Sequence, residues 1–165
     1  MARITFKGLA EYELKLSKLG DGVGEIAEKT IFEGAKIIAD EVKKNLNGLN
    51  VTTQELAIRA YTNQTPTYIT EDAKDGLIKS FGITPIREEN GFYNVKLGFD
   101  GYNDVITKKY PKGQPNNMIA RSCESGSSSM IKQPFMRTAV SASKGRAEAR
   151  MAEILAAEIE KKMEG

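Results

Sequence analysis

Residues 81–99 read FGITPIREENGFYNVKLGF, and this stretch decides the class of fold. From Tyr93 to Phe99, large apolar residues occupy every second position. A period of two is typical of a β-strand with one buried face and one wet face. Asn90 and Gly91, just before it, favour the positive backbone angles of a tight type I′ turn. The stretch therefore predicts an antiparallel hairpin.

Two amphipathic helices are predicted on either side of the hairpin, at residues 23–46 and from residue 133 onward, because apolar residues recur at three- and four-residue spacing. The apolar positions are Ile26, Ile31, Ala35, Ile38 and Val42, and then Ala139, Ala147, Met151, Ile154, Leu155 and Ile159. Gly34 costs the first helix up to about 1 kcal/mol relative to alanine, unless another group approaches its backbone closely. The prediction is an α+β fold, with a small antiparallel β-sheet packed against a long N-terminal helix and a C-terminal helix.

Several shorter elements complete the prediction of one domain over residues 1–165. A first helix is expected before Gly20, with one apolar stripe formed by Leu9, Tyr12, Leu16 and Leu19. Short helices are expected at residues 54–61 and after Thr70, which is suited to cap the second one. Residues 118–123 (MIARSC) are predicted to form a third strand. The segments near residues 48–70 and 101–117 are expected to be flexible loops.

The composition limits the classes of function. The 165 residues carry 24 basic and 22 acidic side chains, and a net charge of +2 gives no strong overall attraction to nucleic acid or anionic membranes. Cys123, the single cysteine, excludes an internal disulfide and favours a reducing interior such as bacterial cytoplasm, although it leaves a bridge between two chains open. No apolar run suits a signal peptide or a membrane span, so neither secretion nor membrane insertion is expected.

The chain is predicted not to be an enzyme and to have no catalytic residues, metal site or cofactor. It contains no histidine, which removes most metal-ligand sets and every histidine-activated nucleophile. A metal-dependent nuclease using Glu71, Asp72 and Asp75 remains an alternative, as does a carboxylate pair involving Glu88 and Glu89. These acidic residues lie at a predicted helix start and beside a turn, where capping or solvent exposure is the favoured interpretation.

One loop has the composition of a nucleic-acid contact. Residues 107–112 (TKKYPK), called the basic loop below, contain Lys108, Lys109, Tyr110 and Lys112. Lysines neutralise phosphates and an aromatic ring stacks on bases, so these four are candidate interface or DNA-facing residues. A solvated loop is the favoured interpretation, and a small nucleic-acid-binding accessory protein is the alternative function.

Three motifs together resemble a known family. They are residues 31–40 (IFEGAKIIAD), residues 75–81 (DGLIKSF), and residues 120–128 (ARSCESGSS) followed by 133–139 (QPFMRTA). They are similar to a helix with a central Gly-Ala, a Thr-Gly-x-Leu-x-x-Ser-Ile turn, and a strand ending Glu-x-Gly-Thr before a Gln-Pro-Phe-x-Arg-Pro-Ala helix start. In this order, the motifs resemble those of the neck or tail-completion proteins of siphophages and prophages, also known as minor tail components.

The resemblance marks eight residues as structural members of the motifs: Gly76, Leu77, Ser80, Glu124, Gly126, Pro134, Phe135 and Arg137. Ser127 stands where the family usually has threonine, and Thr138 where it usually has proline. By residue type, Gly126 permits a strand exit, Pro134 suits a first helical turn, and Phe135 anchors that turn in the core. The favoured interpretation is that they shape the fold rather than contact a partner.

The resemblance implies a structural virion protein that joins or completes the tail at the head-tail interface. It implies self-association into a ring, with the head connector and the tail-tube or tail-terminator proteins as partners. It also implies a location in the virion and, during assembly, in the cytoplasm of the bacterial host. A ring must let DNA pass, which gives the basic loop a role facing the lumen, while no membrane contact is expected.

Overall fold

The computed structural model describes residues 2–4, 22–104, 106 and 108–164. Its strands are β1 (Ala2–Ile4), β2 (Val51–Thr52), β3 (Ile69–Thr70), β4 (Phe81–Ile83), β5 (Arg87–Glu89) and β6 (Phe92–Phe99). Its helices are α1 (Val23–Asn47), α2 (Gln54–Thr62), α3 (Glu71–Ser80), α4 (Asn116–Ser125) and α5 (Met136–Glu164). The α+β class is confirmed. The helix predicted on Leu9, Tyr12, Leu16 and Leu19 lies outside the described residues.

The chain divides into two compact units. The first unit comprises Met1–Ala39, Ile83–Leu97 and Ser143–Gly165, and the second comprises Asp40–Gly82 and Gly98–Ala142. The long helices α1 and α5 contribute residues to both units.

Strand β6 is the centre of the sheet and pairs with β1, β4 and β5. Its pairings with β1 and β5 are antiparallel, and the turn between β5 and β6 has positive φ angles of 55° at Asn90 and 78° at Gly91. The predicted hairpin is therefore confirmed. Val95 and Leu97 are buried as expected, but Asn94 is buried as well, at 4% exposure. The expectation of a wet face is wrong at this position, because β6 is covered on both sides there.

Helix α1 provides the first unit with two packing surfaces. Ile31 and Ala35 pack with Val95 of the sheet, and Ile26 packs with Leu155 of α5. These contacts bury Ile26, Ile31 and Ala35 of the predicted apolar stripe, so this part of α1 packs against partners that are distant in the chain.

Gly34 of α1 lies directly beneath Met151 of α5. A Cβ atom added there would lie 2.5 Å from Sδ of Met151, well inside van der Waals contact. A larger residue would push Met151 away. Close approach of another group to the backbone of Gly34 is the reason expected for a glycine in the middle of this helix.

In the second unit, an aromatic cluster surrounds Phe99. Its ring centroid lies 5.2 Å from that of Phe81 and 5.9 Å from that of Phe135, with the latter pair edge to face. Helix α3 begins as predicted, because Thr70 Oγ1 accepts a hydrogen bond from the backbone N–H of Ala73. The 48–70 segment contains α2 and is closed by a parallel pairing of β2 with β3.

The strand predicted at residues 118–123 is wrong, since these residues lie within helix α4. Its buried residues are Asn116, Ile119, Ala120 and Cys123, a helical spacing that the short apolar run concealed. Gly126 ends this helix with a φ of +79°, so the predicted strand exit is a helix end instead. The Cβ of any other residue would also lie 3.1 Å from Lys132 Cβ.

Candidate functional site

The carboxylate of Glu124 brings the third motif together. Oε2 accepts the backbone N–H groups of Phe135 and Met136, each at 2.8 Å. Oε1 accepts the backbone N–H of Arg137 at 3.1 Å and its side-chain Nε–H at 3.0 Å. The last turn of α4 therefore caps the start of α5. Pro134 lies two residues before α5 begins, not in its first turn as predicted, whereas Phe135 is buried in the core as expected.

These hydrogen bonds decide the ionisation of Glu124. Burial by itself raises the pKa of this carboxyl, but hydrogen bonds from the amides of Met136 and Arg137, the Arg137 side chain and the Phe135 amide outweigh it. The net result is a pKa below the ordinary value, so the carboxylate stays charged and holds the positive end of α5.

Gln133 and Thr138 reinforce this junction. The side chain of Gln133 exchanges two hydrogen bonds with the backbone of Asn50, at 2.8 and 3.0 Å. The Thr138 hydroxyl donates to the Pro134 carbonyl at 2.8 Å and accepts from Asn45 Nδ2 at 3.1 Å. The threonine that stands where proline is usual in the resembled family thus links the ends of α1 and α5.

Cys123 is inert in this setting. Its thiol is fully buried, and burial together with the adjacent Glu124 carboxylate raises its pKa to about 11. Arg121, two positions earlier in the chain, does not lower that pKa. A thiol of this kind is neither a nucleophile nor accessible for a bridge between folded chains.

The residues of the second motif lie beside an open groove of about 1010 Å³ in the second unit. Leu77 is fully buried, whereas Gly76 and Ser80 line the groove. The charged residues of the groove, called the acidic groove below, are Asp72, Asp75, Asp100, Asp104 and Lys79. The sequence concealed this cluster, because residues 72–75 and 100–104 belong to separate elements.

The nuclease residues of the sequence alternative do not form one site. Asp72 and Asp75 line the acidic groove, whereas Glu71 lies 3.8 Å from Lys74 in an ion pair. Among the described residues, no group of three Asp, Glu, Cys or His side chains is placed to hold a metal ion. Glu88 and Glu89 are exposed on β5, beside the hairpin turn.

Asn116 contributes a buried acceptor to the groove. The residue is 4% exposed, and its Nδ2 donates to the Asp100 carbonyl at 2.8 Å. Its Oδ1 has no hydrogen-bond donor among the described residues and lies 3.8 Å from where a Cβ of Gly76 would stand. A buried acceptor without a donor costs about 1–3 kcal/mol, which other contacts of the fold must offset. With less than 1 Å² of accessible surface, this oxygen lies beneath the groove rather than in its open wall.

The described residues of the basic loop, 108–112, lie on the surface of the second unit. Lys108, Lys109 and Lys112 are exposed. Tyr110 is half-buried, its hydroxyl donates to Met118 Sδ at 3.3 Å, and Lys109 Nζ lies 5.5 Å from its ring centroid. The three charges are therefore accessible, whereas the tyrosine ring is engaged within the chain.

Helix α2 exposes apolar side chains that the sequence did not single out. Leu56, Ile58 and Tyr61 are 51%, 58% and 82% exposed, and α2 has no buried residue. Within the described part of the chain, no helix is long and apolar enough to cross a membrane.

In comparisons with protein-family models, curated proteins and solved structures, the chain matched none of them.

Proposed function

We propose that this chain is a structural assembly protein of a long-tailed phage or prophage, which joins or completes the tail at the head-tail interface as a ring subunit. The observation that carries the proposal is the Glu124 cap. The most specific motif behind the resemblance forms one structural unit, in which Glu124 accepts hydrogen bonds from Phe135, Met136 and Arg137.

The use made of Glu124 supports a structural role for the motif. A carboxylate offers about four lone-pair directions, and Glu124 accepts four hydrogen bonds. No acceptor capacity is left for a substrate proton or a metal ion. The motif holds helices α4 and α5 together. A subunit that lies between a phage head and tail needs such contacts to keep its shape.

The partners follow from the resemblance. The proposed neighbours are the head connector on one side and the tail-tube or tail-terminator proteins on the other, with copies of the chain completing the ring. The proposed location is the virion, and the host cytoplasm during assembly. Subunits in a ring meet through heterologous, head-to-tail surfaces, so each copy needs two different interfaces.

The test is a stop codon early in the gene, in its phage or induced prophage, followed by negative-stain electron microscopy of the lysate. Separate heads and free tails are expected, and the protein supplied in trans should restore infectious particles. The complementation is repeated with Glu124→Ala, which removes the cap. Glu160→Gln, an exposed change on α5, is its matched control. Intact infectious virions from the stop-codon gene would contradict the proposal.

The alternative is a small nucleic-acid-binding accessory protein. The exposed lysines of the basic loop favour it, whereas the engaged ring of Tyr110 weighs against base stacking. It predicts binding to DNA that weakens steeply with salt.

A triple variant with glutamine at Lys108, Lys109 and Lys112 tests this alternative. It should lower both the affinity and the salt slope, because each lost phosphate contact removes about 0.9 from that slope. A matched triple variant at Lys36, Lys43 and Lys132, also exposed, is the control. A flat salt response of the natural chain would exclude DNA binding.

A further inference from the structure

We propose that the acidic groove of one copy of this chain receives the basic loop of a second copy. The inference rests on the proposed function, since a ring subunit needs two complementary surfaces, and it names those surfaces. Both belong to the second unit.

The chemistry of the groove specifies a cationic donor. The carboxylates of Asp72, Asp75 and Asp104 accept hydrogen bonds and donate none. A lysine ammonium, with three donors and no acceptor, fits a site in which every one of these groups accepts.

The charges of the two surfaces match in number. Lys79 offsets one of the four aspartates that line the groove, which leaves three negative charges. The basic loop carries three lysines. Charge complementarity of this kind selects the partner and its orientation.

Among the described residues, the charged side chains of the two surfaces are in no ion pair. This holds for the three lysines of the loop and the four aspartates of the groove. The chain as a whole is nearly balanced in charge, with 24 basic and 22 acidic residues. The positive and negative surfaces are therefore local features. A second copy supplies the missing partner for both, and repeating the contact head to tail generates a ring or a filament.

Zero-length carbodiimide cross-linking of the full chain tests the contact, because this reagent joins only carboxylates and amines that touch. Equal amounts of nitrogen-14 and nitrogen-15 protein are mixed, cross-linked and analysed by mass spectrometry. Mixed-isotope peptides that join Lys108, Lys109 or Lys112 to Asp72, Asp75 or Asp104 are expected. Links confined to one isotope, or no links between the two surfaces, would overturn the proposal.

Charge reversal provides the second measurement. The groove variant is Asp75→Lys with Asp104→Lys, which spares Asp72 at the helix start and Asp100 in its turn. The loop variant is Lys108→Glu with Lys112→Glu, which spares the Lys109 contact with Tyr110. Each variant alone should give at least about tenfold less mixed-isotope cross-link, because two attractions become repulsions and two groups that react with the reagent are replaced. Recovery in a mixture of the two variants is therefore the decisive observation.

A mixture of the groove variant with the loop variant should restore cross-linking, since each reversed surface then faces its opposite. The matched control reverses two exposed carboxylates elsewhere, Glu28→Lys with Glu160→Lys, and should cross-link as the natural chain does. Circular dichroism verifies that each variant folds. Undiminished cross-linking by either variant alone, or no recovery in the mixture, would contradict the contact.

These outcomes are separable from failure of the proposed function. Intact virions from the stop-codon gene, together with cross-links between the surfaces, would remove the tail-joining role and leave the self-association in place. Free heads and tails without such cross-links would retain the role and overturn this contact.

Discussion

Glu124 accepts two hydrogen bonds from Arg137, one from its backbone N–H at 3.1 Å and one from its side-chain Nε–H at 3.0 Å. The two residues are thirteen positions apart in the chain. Their contact joins the end of α4 to the start of α5 and makes the third motif a single structural feature.

Glu124→Ala is expected to lower the free energy of unfolding by about 2–3 kcal/mol, because it removes a charged cap from three backbone N–H groups. Glu124→Gln should cost less, since its amide oxygen still accepts hydrogen bonds but carries no charge. Urea unfolding measures both, with Glu160→Ala on the exposed side of α5 as the control. A Glu124→Ala protein as stable as the control would contradict this account of the cap.

Acid should weaken the same junction. The pKa of Glu124 is lowered in the folded chain, so its contribution to stability is complete above the unfolded pKa, about 4.3, and is lost as pH falls through the folded pKa. Lys29 also lowers the pKa of Glu158, by a hydrogen bond that outweighs desolvation, and provides a second acid-sensitive contact. Urea unfolding between about pH 6 and pH 3 should show a smaller acid loss for Glu124→Gln than for the natural chain. Glu158→Gln separates the second contribution, and an unchanged pH dependence in Glu124→Gln would refute the assignment.

Gly34→Ala is expected to destabilise the first unit by about 1–3 kcal/mol, because the new methyl group would overlap Met151 Sδ. In a Met151→Ala background the overlap is gone, and the same change should be neutral or stabilising by up to about 1 kcal/mol. Thermal or urea unfolding of the four proteins completes the double-mutant cycle. An equal cost of Gly34→Ala in both backgrounds would show that Met151 is not the reason for the glycine.

The Cys123 thiol should react slowly with iodoacetamide in the folded chain and rapidly in denaturant, since it is fully buried and its pKa is raised to about 11. The control is Ser128→Cys in a Cys123→Ala background, which places a thiol at an exposed position. Mass spectrometry gives both rates. Native labelling of Cys123 as fast as that of the control would contradict the burial.

Thr138→Pro should change stability by less than about 1 kcal/mol, because residue 138 lies in the first turn of α5, where N–H groups lack helical partners. The loss of the Asn45 and Pro134 contacts is offset by the fixed φ angle of proline. Ala152→Pro, in the middle of the same helix, is the contrast and should cost about 3 kcal/mol or more. A similar loss at both positions would mean that residue 138 does not lie in a first turn.

Local patterns predicted much of the fold. The periodicity of residues 23–46 places α1 within one residue of its observed end, and the Asn90-Gly91 turn is where the alternation of β6 requires it. The same approach failed at residues 118–123, since a short apolar run fits a strand and a helix equally well. Only the spacing of Asn116, Ile119, Ala120 and Cys123 distinguishes the two, and it emerges once burial is known.

The candidate site was predicted less completely than the fold. The sequence singled out Glu124, Phe135 and Arg137 through a resemblance, and the lysines of the basic loop through composition. It gave no sign that Asp75 and Asp104 share a groove, because α3 and the 101–104 turn meet only when the second unit folds. Nor did it indicate that Asn116 carries a buried, unpaired oxygen, since burial depends on every neighbouring element.

By itself the sequence determined the helices of regular apolar spacing, the hairpin turn and the caps, because these depend on residues a few positions apart. Tertiary structure alone decided that Glu124 caps α5, that Met151 packs over Gly34, and that aspartates from two elements share one groove. The physical reason is that such contacts join residues far apart in the chain. Their geometry depends on how helices and strands pack, which no local pattern of side chains specifies.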